Sequence, residues 1–405
     1  MAIPRCPSVP TIAHTDSDTL RLPITLVTPM FGGGTNTRAV DKDQPIRPTS
    51  IRGHLQFWWR ATAGARHSQS HSLFADQADI WGSTSIKSKV SVSVEAAINP
   101  GQISYSSIVN AYPSLKYALF PFAPNNAASE ATGVKHGFNF TVTIKRLDPK
   151  LSDLQWQEVK DATTAWVNFG GIGSRTRRGC GSLFSDKISF STVRAANEWL
   201  QSNGTRVPKE WPTLSTEIIG LTTPMSHIEA WENIIFHFSV FRQGRNVGRN
   251  PGTQRPGQSR FPDPDTIRSI MNLRDHELRG MPQGFPRAEF GLPIIFQRMG
   301  PGNGPTLVPD CADRNSDVDR MASPLVLKPM ATSESQSAPI IARFNNDGNF
   351  AVCLRDGLKR IIPGSQGFPV RSDRFASMNP SPMNGFSSAI DAFLKYAEDE
   401  GYTAN

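Results

Sequence analysis

Residues 151–182 constrain this chain more than any other stretch. Ser152 and Gln155 stand at capping-box spacing, Leu151 is placed to staple onto Trp156, and Val159, Ala162, Trp166 and Phe169 recur at helical intervals. Gly170-Gly171 then supply a stop. From Phe169 to Ser182 the chain carries five glycines and three arginines without one acidic residue. Glycine lets a backbone approach another molecule closely and leaves N–H groups pointing outward, and the arginine fork matches phosphate oxygens. The pattern predicts a helix running into a loop that cradles a polyanionic backbone, with Gly171, Gly173, Arg175, Arg177, Arg178 and Gly179 as its contacts.

The elements before this loop give its setting. Leu20, Leu22, Ile24 and Leu26 alternate as in a strand, and Gly32-Gly33-Gly34 follow as a loop. Ile51, Leu55, Trp58, Trp59 and Thr62 have helical spacing behind Pro48-Thr49-Ser50. Val90, Val92 and Val94 make a second strand, Phe138 to Ile144 a third, and Leu183 to Phe190 a fourth after the capped helix. The order is β-α-β-β-α-β, the ferredoxin-like unit, with residues 98–135 as an insertion of no assignable form. Residues 191–210 hold a short helix and an Asn203-Gly204 linker. Beyond it, helices are expected over Ile228–Phe241, from Asp263-Pro264, and around Ile390–Ala397. A hairpin through Asn346-Asp347-Gly348 is expected between Ile341–Phe344 and Phe350–Leu354. The fold class expected is α+β, with two tandem ferredoxin-like domains, 1–205 and 206–405, each carrying insertions.

Charge and chemistry narrow the function. The net charge of +8 lies entirely in the first half: 23 basic against 15 acidic residues in 1–210, and 20 of each thereafter. Such asymmetry fits a nucleic-acid partner. A Walker loop is absent, and the glycines of 171–179 follow a helix rather than opening one, so a mononucleotide site is excluded. The four cysteines are too far apart to pair as metal ligands, no His-Glu-x-x-His occurs, and neither a signal peptide nor a membrane-spanning run is apparent. No metal or cofactor is expected, and the chain reads as cytoplasmic.

Three more groups join the candidate site. On the first helix Arg52, Gln56 and Arg60 fall at i, i+4 and i+8, while Arg47 and Ser50 sit at its start, where free N–H groups favour an anion. Trp58 falls on the apolar face as a core residue; Trp59 lies at the border as a candidate contact. Ser83, Ser85 and Lys87 precede the second strand. Phe241–Arg260 carries Arg242, Arg245, Arg249, Arg255 and Arg260 with four glycines and no acid, and reads as a mobile loop that orders on RNA. His54 is the one histidine near the cluster able to handle a 2′-hydroxyl proton.

These residues stand in ordered strings: Thr28-Pro29-Met30-Phe31-Gly32-Gly33-Gly34, Arg47-Pro48-Thr49-Ser50-Ile51-Arg52-Gly53 through Phe57-Trp58-Trp59-Arg60, Ile80-Trp81-Gly82-Ser83, the glycine–arginine loop, Phe285-Pro286-Arg287 through Leu292-Pro293, and Ala322-Ser323-Pro324-Leu325. The set resembles the RAMP superfamily of CRISPR effector subunits, most closely the first subunit type of the type III-B (Cmr) complex. The resemblance implies a non-catalytic RNA-binding subunit in antiviral defense. Its partners would be guide RNA, held at its 3′ part, complementary target RNA and other Cmr-complex subunits. Gln56 stands where that family is expected to carry a basic residue. The alternative is a metal-independent RNA-processing endoribonuclease of the same superfamily using His54.

Overall fold

The computed structural model describes residues 16–251, 257–273, 278, 280–296, 304–309, 319–345, 350–356, 359–361, 368–379 and 381–405. Its first sheet comprises β1 (Thr19–Leu26), β2 (Val90–Ala96), β3 (Asn139–Arg146) and β4 (Leu183–Phe184), all antiparallel in the order β2-β3-β1-β4. Register aligns Val94, Val142 and Leu22 in one inward row. Two helices, α1 (Pro48–Ala61) and α3 (Asp153–Phe169), cover that face. This is the connectivity read from periodicity, because each strand keeps its apolar residues on one side. The capping box at Ser152 and Gln155 is formed with both of its hydrogen bonds.

β4 is shorter than expected. After Phe184 the chain turns, with the Ser189 N–H donating to the Ser185 carbonyl, and Asn168 draws it toward α3 by bonding Ile188 and Phe190. A further helix, α2 (Ser70–Trp81), lies between α1 and β2. Residues 98–135 fold as short helices and two strands, Gln102–Ser104 and Thr132–Val134; the second pairs with both the first and Met30–Phe31 in a small sheet.

The second half repeats the connectivity. α4 (Val193–Asn203) precedes β5 (Thr213–Gly220), α5 (His227–Gln243), β6 (Leu325–Ala331), β7 (Ser337–Asn345) and α6 (Ala389–Asp399). The strands are ordered β6-β7-β5, as β2-β3-β1 are in the first sheet. Where the first sheet has β4, the second has one bridge: Gly220 and Thr403 exchange N–H···O bonds of 2.8 and 2.9 Å. Two long insertions, before β6 and after β7, build a separate sheet around Phe285, Leu307 and Val352.

That arrangement overturns the expected hairpin. Its turn lies outside the described residues, and β7 pairs with β5 and β6 whereas Ala351–Asp356 pairs with Thr306–Pro309 in the other sheet. Nor is Asn203-Gly204 a free linker: the Gly204 N–H donates to the Leu200 carbonyl at 2.8 Å, and the Thr205 N–H to that of Leu214 at 2.9 Å. Asn197 on α4 exchanges two hydrogen bonds with Ile218 and donates to the Ala404 carbonyl. One core runs from Leu22, Trp58 and Trp166 to Leu214, Met330 and Phe344, so the halves share an interior. The 98–135 insertion is a second tie: Tyr105, Leu115 and Phe122 join the core of Phe238, Phe290 and Phe393.

Candidate nucleic-acid interface

The two glycine loops pack against each other. Gly32, at φ 73°, would with a Cβ come 2.4 Å from Ser174 Oγ, and a Cβ on Gly173 would meet Met30 Cγ and the Phe31 carbonyl at 2.6 Å. The Ser174 N–H closes the contact, donating to the Phe31 carbonyl at 2.7 Å. Only glycine permits that approach. Gly33 to Thr37 then stand out from the surface, with Gly34 half-buried.

The exposed loop continues into the start of α1. Asp41 sits beneath Gly34 and accepts from Arg47 at 2.5 Å. The Gln44 N–H, and after it Arg47, hold the Asp41 carboxyl below its ordinary range. Arg47 is the N-cap residue and gives α1 no side-chain cap; Thr49 and Ser50 are exposed, and Gly53 opens onto empty space. Arg52 donates to the Trp81 carbonyl at the end of α2, directly before the exposed loop of Ser83, Ser85 and Lys87. Gly33, Gly34, Ser50, Ser83, Ser85 and Lys87 thus lie along one connected surface.

Other expected contacts face inward. Arg60 donates to Gln77 at 2.8 Å, so the Arg52–Arg60 stripe is spent on α2 rather than open to phosphates. Trp59 is fully buried, as Trp58 nearly is, which corrects its reading as a contact. Its indole donates to Glu158 at 2.9 Å, and the chain turns at Gly64 to lay Arg66 over the ring. Periodicity placed Trp59 at the border of the helix face; the covering segment could not be read from it.

The glycine–arginine loop holds the largest correction. Arg178 donates to the Leu325 carbonyl at 2.9 Å and the Phe290 carbonyl at 3.1 Å, and stacks 5.0 Å from the Phe238 ring. Burial, then the neighbouring Arg175 and Arg242, pushes it down to about 9, still cationic at neutral pH. Arg177 donates to the Ser323 carbonyl and lies over Phe344. Gly179 is buried so that the Trp231 ring can approach; a Cβ there would meet it at 2.4 Å. Gly171 and Gly32 are buried as well. These residues fasten the two halves together. Arg175 is half-buried as well, in the left-handed region at φ 58°, with its guanidinium over Phe120 and lowered by burial.

The second arginine loop is also held by its own chain. Arg242 lies over Phe238, Phe290 and Tyr117, and burial lowers its guanidinium. Arg249 donates to the Gly257 carbonyl, and Arg260 to Asn250 at 3.0 Å and to the Asn246 carbonyl. Arg245 is exposed, and Arg255 lies outside the described residues. The described parts of this loop carry bridges at Arg245–Arg249 and Arg249–Ser259.

A group that periodicity missed anchors the site from behind. Lys328 on β6 is fully buried and donates to the Gly170 carbonyl at 2.8 Å, at the C-terminal end of α3 where the helix dipole favours a cation. Burial pushes it down to about 7. His54 is half-buried, stacks on Trp166 at 6.5 Å, and is lowered by burial. Among the described residues no group of three His, Cys, Asp or Glu is placed to hold a metal, and no helix is long and apolar enough to cross a membrane.

Residues 23–184, which contain both glycine loops, α1 and the Ser83–Lys87 segment, match the RAMP superfamily. The match covers about two fifths of the chain. It is similar to CRISPR system Cmr subunit Cmr1-1 of Pyrococcus furiosus, 28% identical over 167 residues, which are 39% of this chain and 44% of that protein. Cmr1-2 of the same organism is 27% identical over 172 residues, 39% of this chain and 89% of that one. The matched part therefore spans less than half of Cmr1-1. The crystal structure of Cmr1 from Pyrococcus furiosus in its apo form superposes with a TM-score of 0.54 at 14% identity, over 95% of this chain and 98% of that chain, a likeness of fold.

Proposed function

We propose that this chain is a non-catalytic RNA-binding subunit of a type III-B Cmr effector complex, working in the cytoplasm. It would be built from two tandem ferredoxin-like units, the second with its last strand reduced to the Thr403 bridge. It would hold the 3′ part of a guide RNA, alone or paired with its target, and contact other Cmr subunits. The observation that carries this reading is the continuous outer surface of Gly33, Gly34, the uncapped start of α1 and Ser83–Lys87, inside the RAMP segment and in the half that bears all the net positive charge. Backbone N–H groups, hydroxyls and lysine grip phosphates and 2′-hydroxyls without reading bases, leaving sequence to guide–target pairing.

The endoribonuclease alternative needs a positioned acid–base pair. Packing of His54 against Trp166 favours a structural histidine. The full-length protein should bind guide-like single-stranded RNA and leave it intact with or without magnesium. Cleavage that persists through purification and vanishes in His54→Ala would replace this proposal with the enzyme.

A further inference from the structure

We propose that Phe120 is a stacking platform for a single unpaired RNA base, which rests on the RNA-binding reading above. Phe120 belongs to the 98–135 insertion and remains 64% exposed, whereas its neighbour Phe122 is 7% exposed. An exposed aromatic is common on protein surfaces, but this one is rigidly presented. Phe122 stacks on Phe31 with centroids 4.5 Å apart, which fixes the turn to the strand preceding Gly32. Arg38, just beyond the exposed glycine loop, donates to the carbonyls of Pro121 at 2.8 Å, Phe122 at 3.0 Å and Ala123 at 2.7 Å. The tip therefore has no freedom to fold its ring away.

A second observation points to the ligand. The Arg175 guanidinium lies 5.2 Å from the Phe120 ring centre, and its residue is one of the few non-glycines in the left-handed region. Backbone of that kind persists where the surroundings over-determine it, and such positions concentrate at binding sites. Here it aims the half-buried Arg175 of the glycine–arginine loop at the aromatic. The guanidinium covers one face of a ring that stays 64% exposed, so ring and cation form one cationic surface next to the exposed glycine loop. A nucleobase fits that surface: it stacks on the ring, and the cation attracts its phosphate. Stacking tolerates any base, so the contact orders one nucleotide without adding sequence preference.

The test uses the full chain and a single-stranded RNA series in which 2-aminopurine replaces one base at a time. Wild-type protein should change the emission at one position, as stacking does. Phe120→Leu, which keeps apolar bulk but no ring, should abolish that change and weaken binding about 5- to 150-fold, the range of one base–aromatic stack. Phe120→Trp should restore both. Phe74→Ala, removing another exposed aromatic on α2, should alter neither. RNA bound by wild type and Phe120→Leu with equal affinity and the same emission pattern would overturn the platform while leaving RNA binding intact. So would a Phe120→Leu protein that keeps its RNA affinity but loses a protein partner. A wild-type chain that binds no RNA would reject the RNA-binding reading and the platform with it.

Discussion

The glycine–arginine loop and the 98–135 insertion exchanged roles between sequence and structure. The loop is dense in phosphate-binding residue types, yet Arg177 and Arg178 turn inward and donate to carbonyls of the second half. The insertion offers no periodicity, yet it folds against both halves and presents Phe120 beside the glycine loops. Residue type records what a side chain can bind, and direction comes from the backbone around it. An arginine can satisfy its donors on carbonyls and aromatic faces as well as on phosphates, so a cluster without acids is equally suited to either use.

The sharpest test of inward against outward is Trp59. Emptying a buried indole site costs about 3–5 kcal/mol, and Trp59→Ala also leaves the buried Glu158 carboxylate without one of its donors. It should be the largest loss among single substitutions proposed here, read as a fall in the denaturation midpoint. Trp58→Ala falls in the same range. If Trp59→Ala kept its midpoint and lost RNA binding, the ring would be a contact after all.

Arg178→Met comes next. It removes a guanidinium whose two nearly buried carbonyl partners on Leu325 and Phe290 would be left without it. With charged hydrogen bonds worth about 1.5–3 kcal/mol each, the substitution should destabilise by about 3 kcal/mol. Methionine packing against Phe238 would recover part of the loss. Thermal unfolding reads this directly. A stable Arg178→Met protein with a weakened dependence of RNA affinity on salt would place that arginine on RNA and reverse the comparison.

Most of the first sheet was legible because its strands alternate cleanly and its second long helix carries a formed capping box. The second sheet was not, since β6 and β7 are buried nearly throughout and carry no alternation, and insertions separate β5 from its partners. At the site, Gly33, Ser50, Ser83, Ser85 and Lys87 are exposed as the sequence suggested. Phe120 was out of reach, because its exposure depends on Phe31, Arg38 and Arg175, far away in the chain. Lys328 was out of reach too: a lysine in a strand reads as solvent-facing, and its partner is the carbonyl of Gly170 across the junction.

Lys328 gives a pH test of that junction. Its ammonium is pushed down to about 7 in the fold, against an ordinary 10.5. Between those values the unfolded chain holds the proton more tightly, so this residue makes stability rise with pH from about 7 to 10.5. Below that window its contribution is constant. Lys328→Met should flatten the rise in the denaturation midpoint over the same window. An unchanged profile would mean that Lys328 keeps its charge in the fold, held by the helix end.

The smallest effect belongs to the outer surface, and it separates the two regions most cleanly. Lys87 is exposed beside Ser83 and Ser85, and substitutions at such positions stay within about 0.5 kcal/mol in stability. Lys87→Ala should therefore leave unfolding unchanged. Its effect should appear only in RNA binding. Every phosphate of single-stranded RNA that a cation neutralises adds about 0.7 to the steepness of log affinity against log salt, so the variant should show a slope shallower by that amount. Arg245→Ala, also exposed but in the second half, is the companion measurement, and a change of the same size would extend the RNA path across both halves. Equal slopes for wild type and Lys87→Ala would remove the Ser83–Lys87 segment from the interface. The glycine loops and the start of α1 would then carry the phosphates alone.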